Sequence, residues 1–484
     1  MKKYIVYAIL MAGTTLSSCS SSFLDQEPPL YIEPGDIYND ANRLEAAVLG
    51  LYGSIKNDAS DSFMGGNTYL VFDNRGEDIV NSDPNLITLA NTYKFNVGKT
   101  DAENTVTWSM AYAAINRVNI FLDELEGAKA TAGEKYEQYK AEAKFVRAFA
   151  YYYLNNLYAT PYVINPDAKS VPLRLTPEKN GEHNALKRAT VKEVYEQILS
   201  DLENISALPV KAKADEPTVT RATQAAANML KMRVYMSMNN WTEAVKAGKL
   251  VTGYELTPKF GDMFKAPYYT DETIFSLPMK ETNRPNTQQG LAEYYYAKNT
   301  ILWVDVENGI MGKPNYNSAD DARVQMKNEK NQLLKFTDAA QKLDWAPIFR
   351  YAETLLNLAE CYVNLGGTEN EKLARECLKQ VRFRSLPETS NQLDIDHLSG
   401  EDLKMAVYNE RRLEFIGEAM RGIDVLRRGA NFERKTQITP QSSGYVWPIP
   451  QSEELMNPDL NKSSNPQLSS SASFLRLNVL SSLN

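Results

Sequence analysis

"AEAKFVRAFAYYYLNNLYATPYV", residues 141 to 163, carries the pattern that decides the fold. Phe145, Ala148, Tyr152 and Asn155 recur at helical spacing, and Pro161 closes the run. The small alanines leave room for a neighbouring helix to approach closely, so this segment reads as an interior helix of a helical scaffold.

Outward from it, the same periodicity predicts further helices. Two lie at about 39 to 56 and 104 to 126, and another at 190 to 205 opens on Thr190 with Glu193 three residues on, the pattern of a capping box. "RATQAAANMLKMRVYMSMNNWTEAVKAGKLVTGYEL" reads as helix, Asn-Asn turn, helix, with Ala226, Leu230 and Tyr235 before the turn and Trp241, Ala244 and Ala247 after it. "RYAETLLNLAECYVNLGGTENEKLARECLKQVR" repeats the plan, and Gly366-Gly367 ends its first helix with residues suited to positive φ. The run Ala141-x3-Phe145 with its later proline matches the packing pattern of tetratricopeptide helices, although the pairs recur at irregular spacing.

Two long insertions interrupt the pairs, at about 57 to 103 and 255 to 343, rich in Gly, Asn, Asp, Pro, Thr and Tyr, with short alternating pieces such as "TIFSLPM" and "NTILWVDV". Irregular segments of this length inside a large domain are where binding residues concentrate.

The amino terminus sets the compartment. Lys2 and Lys3, the apolar run Tyr4 to Gly13 and the small residues after it have the build of a secretory signal, shorter than a bilayer span. Leu16-Ser17-Ser18-Cys19 resembles the bacterial lipobox, in which the cysteine becomes the acylated first residue of the mature chain. At about 0.8 kcal/mol per buried methylene, several acyl chains hold a soluble body at a membrane. The expected organisation is therefore signal peptide 1–18, lipidated Cys19 with a tether to residue 30, and one domain over 31–484.

A hydrophobic share of 43% is ordinary for a globular chain, and the net charge of −8 becomes two units more negative once Lys2 and Lys3 leave, which argues against nucleic acid and anionic lipid as partners. Cys361 and Cys377 fall on neighbouring helices of an exported chain, where a disulfide is conceivable and two buried thiols are the expected state. The two histidines, His183 and His397, lie in polar loop surroundings, so histidine-based metal or triad chemistry is poorly supplied. No cofactor is expected beyond the lipid at Cys19, and no metal.

Near the carboxyl end, "YNERRLEFIGEAMRGIDVLRRG" places Leu413, Ile416, Met420 and Ile423 on one face, and its charges pair locally at helical spacing: Arg411 with Glu414, Glu418 with Arg421, Asp424 with Arg427 or Arg428. This set is read as an ion-paired packing helix, not an active site.

Four motifs read in order resemble the SusD/RagB family of outer-membrane lipoproteins: the lipobox followed by "FLDQEPP", then "AEAKFVRAFAYYYLNNLYATPYV", "NERRLEFIGEAMRGIDVLRRG" and "WPIPQSEELMNPDLNKSSNPQ". The likeness extends to "WSMAYAAINRVNIFLDELE" and "RATVKEVYEQILSDLENI" and so spans nearly the whole chain. It implies a mainly α fold, an α/α superhelix of about four tetratricopeptide-like helix pairs with a loop-rich irregular half. It further implies a cell-surface, lipid-anchored lid over a SusC-like TonB-dependent transporter that captures oligosaccharides, or in some branches peptides, without chemistry on them. The serine-rich stretch and "SFLRLNVLSSLN" at residues 468 to 484 depart from the family pattern.

A sugar site needs flat apolar faces for rings and fixed donors and acceptors for hydroxyls. "EYYYAKNTILWVDV" supplies Tyr294, Tyr295, Tyr296 and Trp303, with Tyr316 shortly after; if 294 to 296 are extended, Tyr294 and Tyr296 share a face. The first insertion offers Asn67, Tyr69, Asp73, Arg75 and Asn81 for the same surface, and its "DNRGED" lacks the acidic spacing of a calcium loop. Trp108 sits at helical spacing with Tyr112 and Ile115 and reads as core, as does Trp447 among prolines.

Three readings stay open: a glycan-binding lipoprotein serving a transporter, the same architecture loaded with peptide, where Arg75 or Arg284 would meet carboxylates, and a ligand-free helical scaffold. A glycosidase would need two carboxylates about 5 to 10 Å apart, and acids are too frequent for sequence to dismiss such a pair. No nucleophile elbow, zinc motif or phosphate loop supports catalysis.

Overall fold

The helix Tyr136–Tyr158 is buried on nearly every side, so its few polar residues must be satisfied inside the protein. Glu142 accepts hydrogen bonds from the Tyr52 hydroxyl at 2.7 Å and from Arg221 at 2.7 and 2.9 Å. Arg147 makes a bidentate pair with Asp201 at 2.6 and 2.8 Å and donates to Asn119 Oδ1 at 2.8 Å. Around these charges Phe145 and Phe149 pack edge-on against Phe275, at centroid distances of 5.5 and 6.1 Å. Burying each such ring stabilises the fold by about 1.5–3 kcal/mol.

This arrangement comes from a computed structural model that describes residues 37–56, 63–82, 88–181, 184–211, 213–286, 288–298, 300–434 and 437–462, the side chain of Asn67 excepted. The signal segment, Cys19 and its tether, His183 and residues 468 to 484 lie outside the described residues.

The fold is mainly helical, and consecutive helices pack as hairpins. Helix Ala102–Gly127 lies against Tyr136–Tyr158, Gln224–Ser237 against Trp241–Lys249, and Tyr351–Leu365 against Thr368–Ser385. Ala41–Lys56 and Val191–Asp201 flank the central helix, and Gly400–Glu414 packs on Tyr351–Leu365. The local signals act as expected. Thr190 and Glu193 form the reciprocal capping box, Asn239 takes φ 55° and Asn240 caps the next helix, and Gly366 and Gly367 adopt φ 69° and 89°. One contiguous apolar core runs from Leu44 to Leu460, and Trp108 and Trp447 lie in it. Cys361 and Cys377 are free, buried thiols, their pKa values raised by that burial. Among the described residues no helix is long and apolar enough to cross a membrane.

The segment "YNERRLEFIGEAMRGIDVLRRG" is two helices, Gly400–Glu414 and Arg421–Arg427, separated by a turn in which Gly417 has φ 82° and Ala419 φ 59°. The turn redirects the charges. Of the expected local pairs, Asp424 with Arg427 and Arg428 is present at 2.8 and 3.7 Å. Arg411 instead meets Asp424 at 2.9 Å, Glu414 takes Arg350 and Arg384, Glu418 takes Lys335 and Arg350, and Arg421 takes Glu77. These are long-range buried bonds between elements, which the local helical spacing does not specify.

Among the described residues six short strands form three antiparallel ribbons: β1 (Ile79–Asn81) with β5 (Leu302–Val304), β2 (Lys169–Pro172) with β3 (Arg188–Thr190), and β4 (Thr273–Leu277) with β6 (Ala346–Arg350). The β1–β5 ribbon joins the first insertion to the second.

Candidate functional site

In the β1–β5 ribbon, Ile79 faces Val304, Val80 faces Trp303 and Asn81 faces Leu302. Side chains alternate along a strand. Leu302 and Val304 are buried, and Trp303 between them is half-buried on the other face, where it lines a cleft of about 1210 Å³. The indole N–H donates to Ser82 Oγ. That bond spends its one donor and fixes the ring, leaving the aromatic surface as what Trp303 presents.

Four further segments line the cleft. Tyr93, Lys94 and Phe95 come from the first insertion, with Phe95 at φ 55°. Asp305 to Asn308 form a turn in which Asp305 Oδ1 accepts from the Glu307 and Asn308 amides at 3.1 and 2.8 Å. Lys330 and Asn331 come from a loop tied to β5 by Val304 N–H to Asn331 O at 2.9 Å. Glu433, Arg434 and Ile438 arrive from near the carboxyl end.

Arg434 holds the Tyr93 wall. Its guanidinium lies 4.0 Å from the Tyr93 ring centroid and donates to the carbonyls of Tyr93 at 3.1 Å, Asn74 at 2.6 Å and Gly76. Burial lowers its pKa. Glu77, also in the lining, is held to the scaffold by Arg421 at 2.6 and 2.8 Å. Burial alone would raise the Glu77 carboxyl, but the Arg421 guanidinium outweighs it and holds the pKa at about 2. The cleft thus offers a fixed indole, a braced tyrosine and exposed polar groups on separate turns, a set suited to flat, hydroxyl-rich ligands. Among the described residues no group of three or more His, Cys, Asp or Glu could hold a metal ion.

Of the ligand candidates read from sequence, Trp303 lines this cleft, and the others whose side chains are described are not among its lining residues. Tyr294 and Tyr295 belong to a short helix, Leu291–Tyr295, so the extended arrangement does not arise. Tyr294 is buried and donates to Gln288 O, while Tyr295 points inward and donates to Asp73 Oδ2 at 2.8 Å. Tyr296 is half-buried outside the cleft lining. Tyr316 is buried, with the Arg382 guanidinium 5.2 Å from its ring.

The first insertion is corrected for the same reason: residues Asn67–Arg75 are helical and pack against the helix Arg421–Arg427. Tyr69 is fully buried and donates to Pro347 O at 3.1 Å. Asp73 is buried, and that burial pushes its carboxyl up to about 7. Arg75 is buried between Phe95 and Phe432, at 4.7 and 5.3 Å, and donates to Tyr445 O. Asn81 donates to Thr88 O at 3.1 Å, and the Asn67 side chain is outside the described set.

Tyr93 and Arg434 were not singled out from sequence. The alternation of Tyr93 and Phe95 in "NTYKFNV" was a usable signal; nothing near Arg434 in sequence points to Tyr93, some 340 residues away.

Two family profiles match the chain in tandem: one described as "Starch-binding associating with outer membrane" over residues 22–236, and the SusD family over residues 228–467. A SusD superfamily protein of Bacteroides fragilis, known from its crystal structure, is 58% identical, with a TM-score of 0.86, covering 88% of this chain and 100% of its own. A SusD superfamily protein of Bacteroides thetaiotaomicron shares the fold at 21% identity and a TM-score of 0.74, over 88% of this chain and 100% of its own. SusD-like protein P25 of Formosa agariphila is 24% identical over 89% of this chain and 90% of its own length. Motif order, helical scaffold and these matches agree: the chain belongs to the SusD/RagB family.

Proposed function

We propose that this protein is a lipid-anchored, outer-membrane glycan-binding protein that captures oligosaccharide in the cleft at Trp303 and hands it to a SusC-like TonB-dependent transporter, without catalysis. The observation that carries the reading is the indole of Trp303, held by Ser82 and lining a cleft of about 1210 Å³. A sugar ring stacks on such a face while hydroxyls reach Asn308, Asn331 or Lys330. The family description of starch binding and outer-membrane association supports ligand class and location. Anchoring rests on Cys19 and the preceding signal.

Two observations weigh against a peptide ligand. Arg75 is buried and hydrogen-bonded to backbone carbonyls, and Arg284 is exposed outside the cleft lining, so neither offers a carboxylate clamp there. Titration of a soluble chain beginning at Ser20 with glycans and peptides tests the proposal. Saturable binding of one glycan class, weakened by Trp303→Ala, is the expected result; binding of peptides alone overturns it.

A further inference from the structure

A second aromatic cluster stands apart from the main core. Val219, Met279 and Trp345 are buried together, and Tyr268 and Tyr269 cover them half-buried. In an extended chain two consecutive side chains point to opposite sides. Here Tyr268 takes φ 65°, and both rings reach the same indole. The Tyr268 and Trp345 centroids are 6.1 Å apart with planes at 25°, and those of Tyr269 and Trp345 are 5.9 Å apart at 34°. A left-handed backbone is unfavourable for a bulky residue, and such outliers gather at functional sites.

The cluster is also fixed and open. Trp345 Nε1 donates to Met279 O at 3.2 Å, which locks the indole beneath the tyrosines. The flanking residues Lys265, Ala266 and Pro267 are exposed, so the rings sit at the surface. No hydrogen bond holds either tyrosine hydroxyl among the described residues. Asp338 and Asp344 stand close enough to act electrostatically on Tyr268. Asp338 accepts from the Gln341 and Leu343 amides at 2.9 and 3.2 Å, and Asp344 from the Asp338 amide at 2.8 Å, which orients both carboxylates and leaves lone pairs over. None of these residues lines the Trp303 cleft.

We propose that Tyr268 and Tyr269 form a second, shallow glycan-binding patch that stacks against pyranose faces and works together with the cleft on long chains. It shares the ligand class of the function proposed above and occupies a different site. Two weak sites on one polymer raise its apparent affinity well beyond that of either alone. A short oligosaccharide cannot draw on that gain unless it spans both.

The test compares the wild-type protein, Trp303→Ala, the double variant Tyr268→Ala/Tyr269→Ala and the triple variant. Retention in gels containing starch, laminarin or xylan reports the polymer, and calorimetry with the matching hexasaccharide reports the cleft. The double variant should lose about tenfold or more of polymer affinity with hexasaccharide affinity unchanged, and Trp303→Ala should keep residual polymer retention that the triple variant loses. Unchanged polymer affinity in the double variant overturns the patch. An equal loss for polymer and hexasaccharide also overturns it, because the rings would then act through the fold. If the double variant does not fold, Tyr269→Ala alone, with Tyr268 still covering Trp345, is read the same way. Polymer retention that depends on Tyr268 and Tyr269 with no hexasaccharide binding would sink the cleft reading and leave the patch standing; no retention of any polymer sinks both.

Discussion

Asp73 shows how burial changes what a residue can do. From sequence it is a candidate polar contact for a ligand; in the fold it is enclosed, accepting from Tyr295 Oη at 2.8 Å and from the Ala419 amide at 3.2 Å. Enclosure pushes its carboxyl up to about 7, as it does for Glu103 and Asp344. An acid with a raised pKa in the folded state contributes stability that is complete below its unfolded value near 4 and is lost as pH rises to about 7. Glu77 and Glu360 run the other way. Burial would raise them, but Arg421 in one case and Arg427 with Arg428 in the other hold them at about 2, so their contribution is present above an unfolded value near 4.5 and is lost as pH falls toward 2. Thermal stability is therefore expected to peak at about pH 4 to 5 and to decline toward neutrality. Asp73→Asn keeps an acceptor for Tyr295 and removes one titrating group, so melting curves between pH 4 and 8 should show a shallower decline for the variant. An unaltered slope would mean that Asp73 does not titrate in this range.

At the level of elements, glycines separate turns that merely bend from turns that also pack. Gly366, at φ 69° and ψ 176°, has open space where a side chain would go, so Gly366→Ala meets only the penalty of a backbone region kept for glycine, about 1–3 kcal/mol. Gly417, at φ 82°, has the Leu333 side chain where its Cβ would stand, so Gly417→Ala adds a packing clash of about 1–3 kcal/mol. Denaturant unfolding should place Gly417→Ala clearly below Gly366→Ala, and equal losses would contradict the close approach. The helix pairs, the capping box at Thr190 and the turn at Gly366 were legible because each depends on neighbours in sequence. The break at residues 415–420 was not, because apolar periodicity continues through Ile416, Met420 and Ile423 while the chain turns. Residues 67–75 and 291–295 read as loop for the opposite reason: their helices are short and lean on tertiary packing.

Across the whole molecule, buried charge joins the insertions to the scaffold. Glu414 accepts from Arg350 on β6, Arg384 on helix Thr368–Ser385 and Arg323 in the second insertion, and it is fully enclosed. Glu414→Gln would leave these guanidiniums short of a counter-charge, at an expected cost of about 3–5 kcal/mol in chemical denaturation. Replacing Glu124, whose pair with Lys179 is exposed, should change stability by less than about 1 kcal/mol. Equal effects would show that the interior network is dispensable. The same scale explains what sequence could say of the cleft. Both insertions do contribute to it, and Trp303 faces it, but its other walls depend on the β1–β5 pairing and on Arg434 reaching back to Tyr93, contacts between segments hundreds of residues apart.

Calorimetric titration of the chain from Ser20 with a glycan panel, beside its Trp303→Ala variant, decides whether Trp303 is the ligand platform. The expected result is saturable binding of one glycan class by the wild-type protein, an affinity at least about tenfold lower in the variant, equivalent to about 1.4 kcal/mol, and an unchanged melting temperature. Glycan binding that survives Trp303→Ala undiminished, or no glycan binding by the wild-type chain, would contradict it.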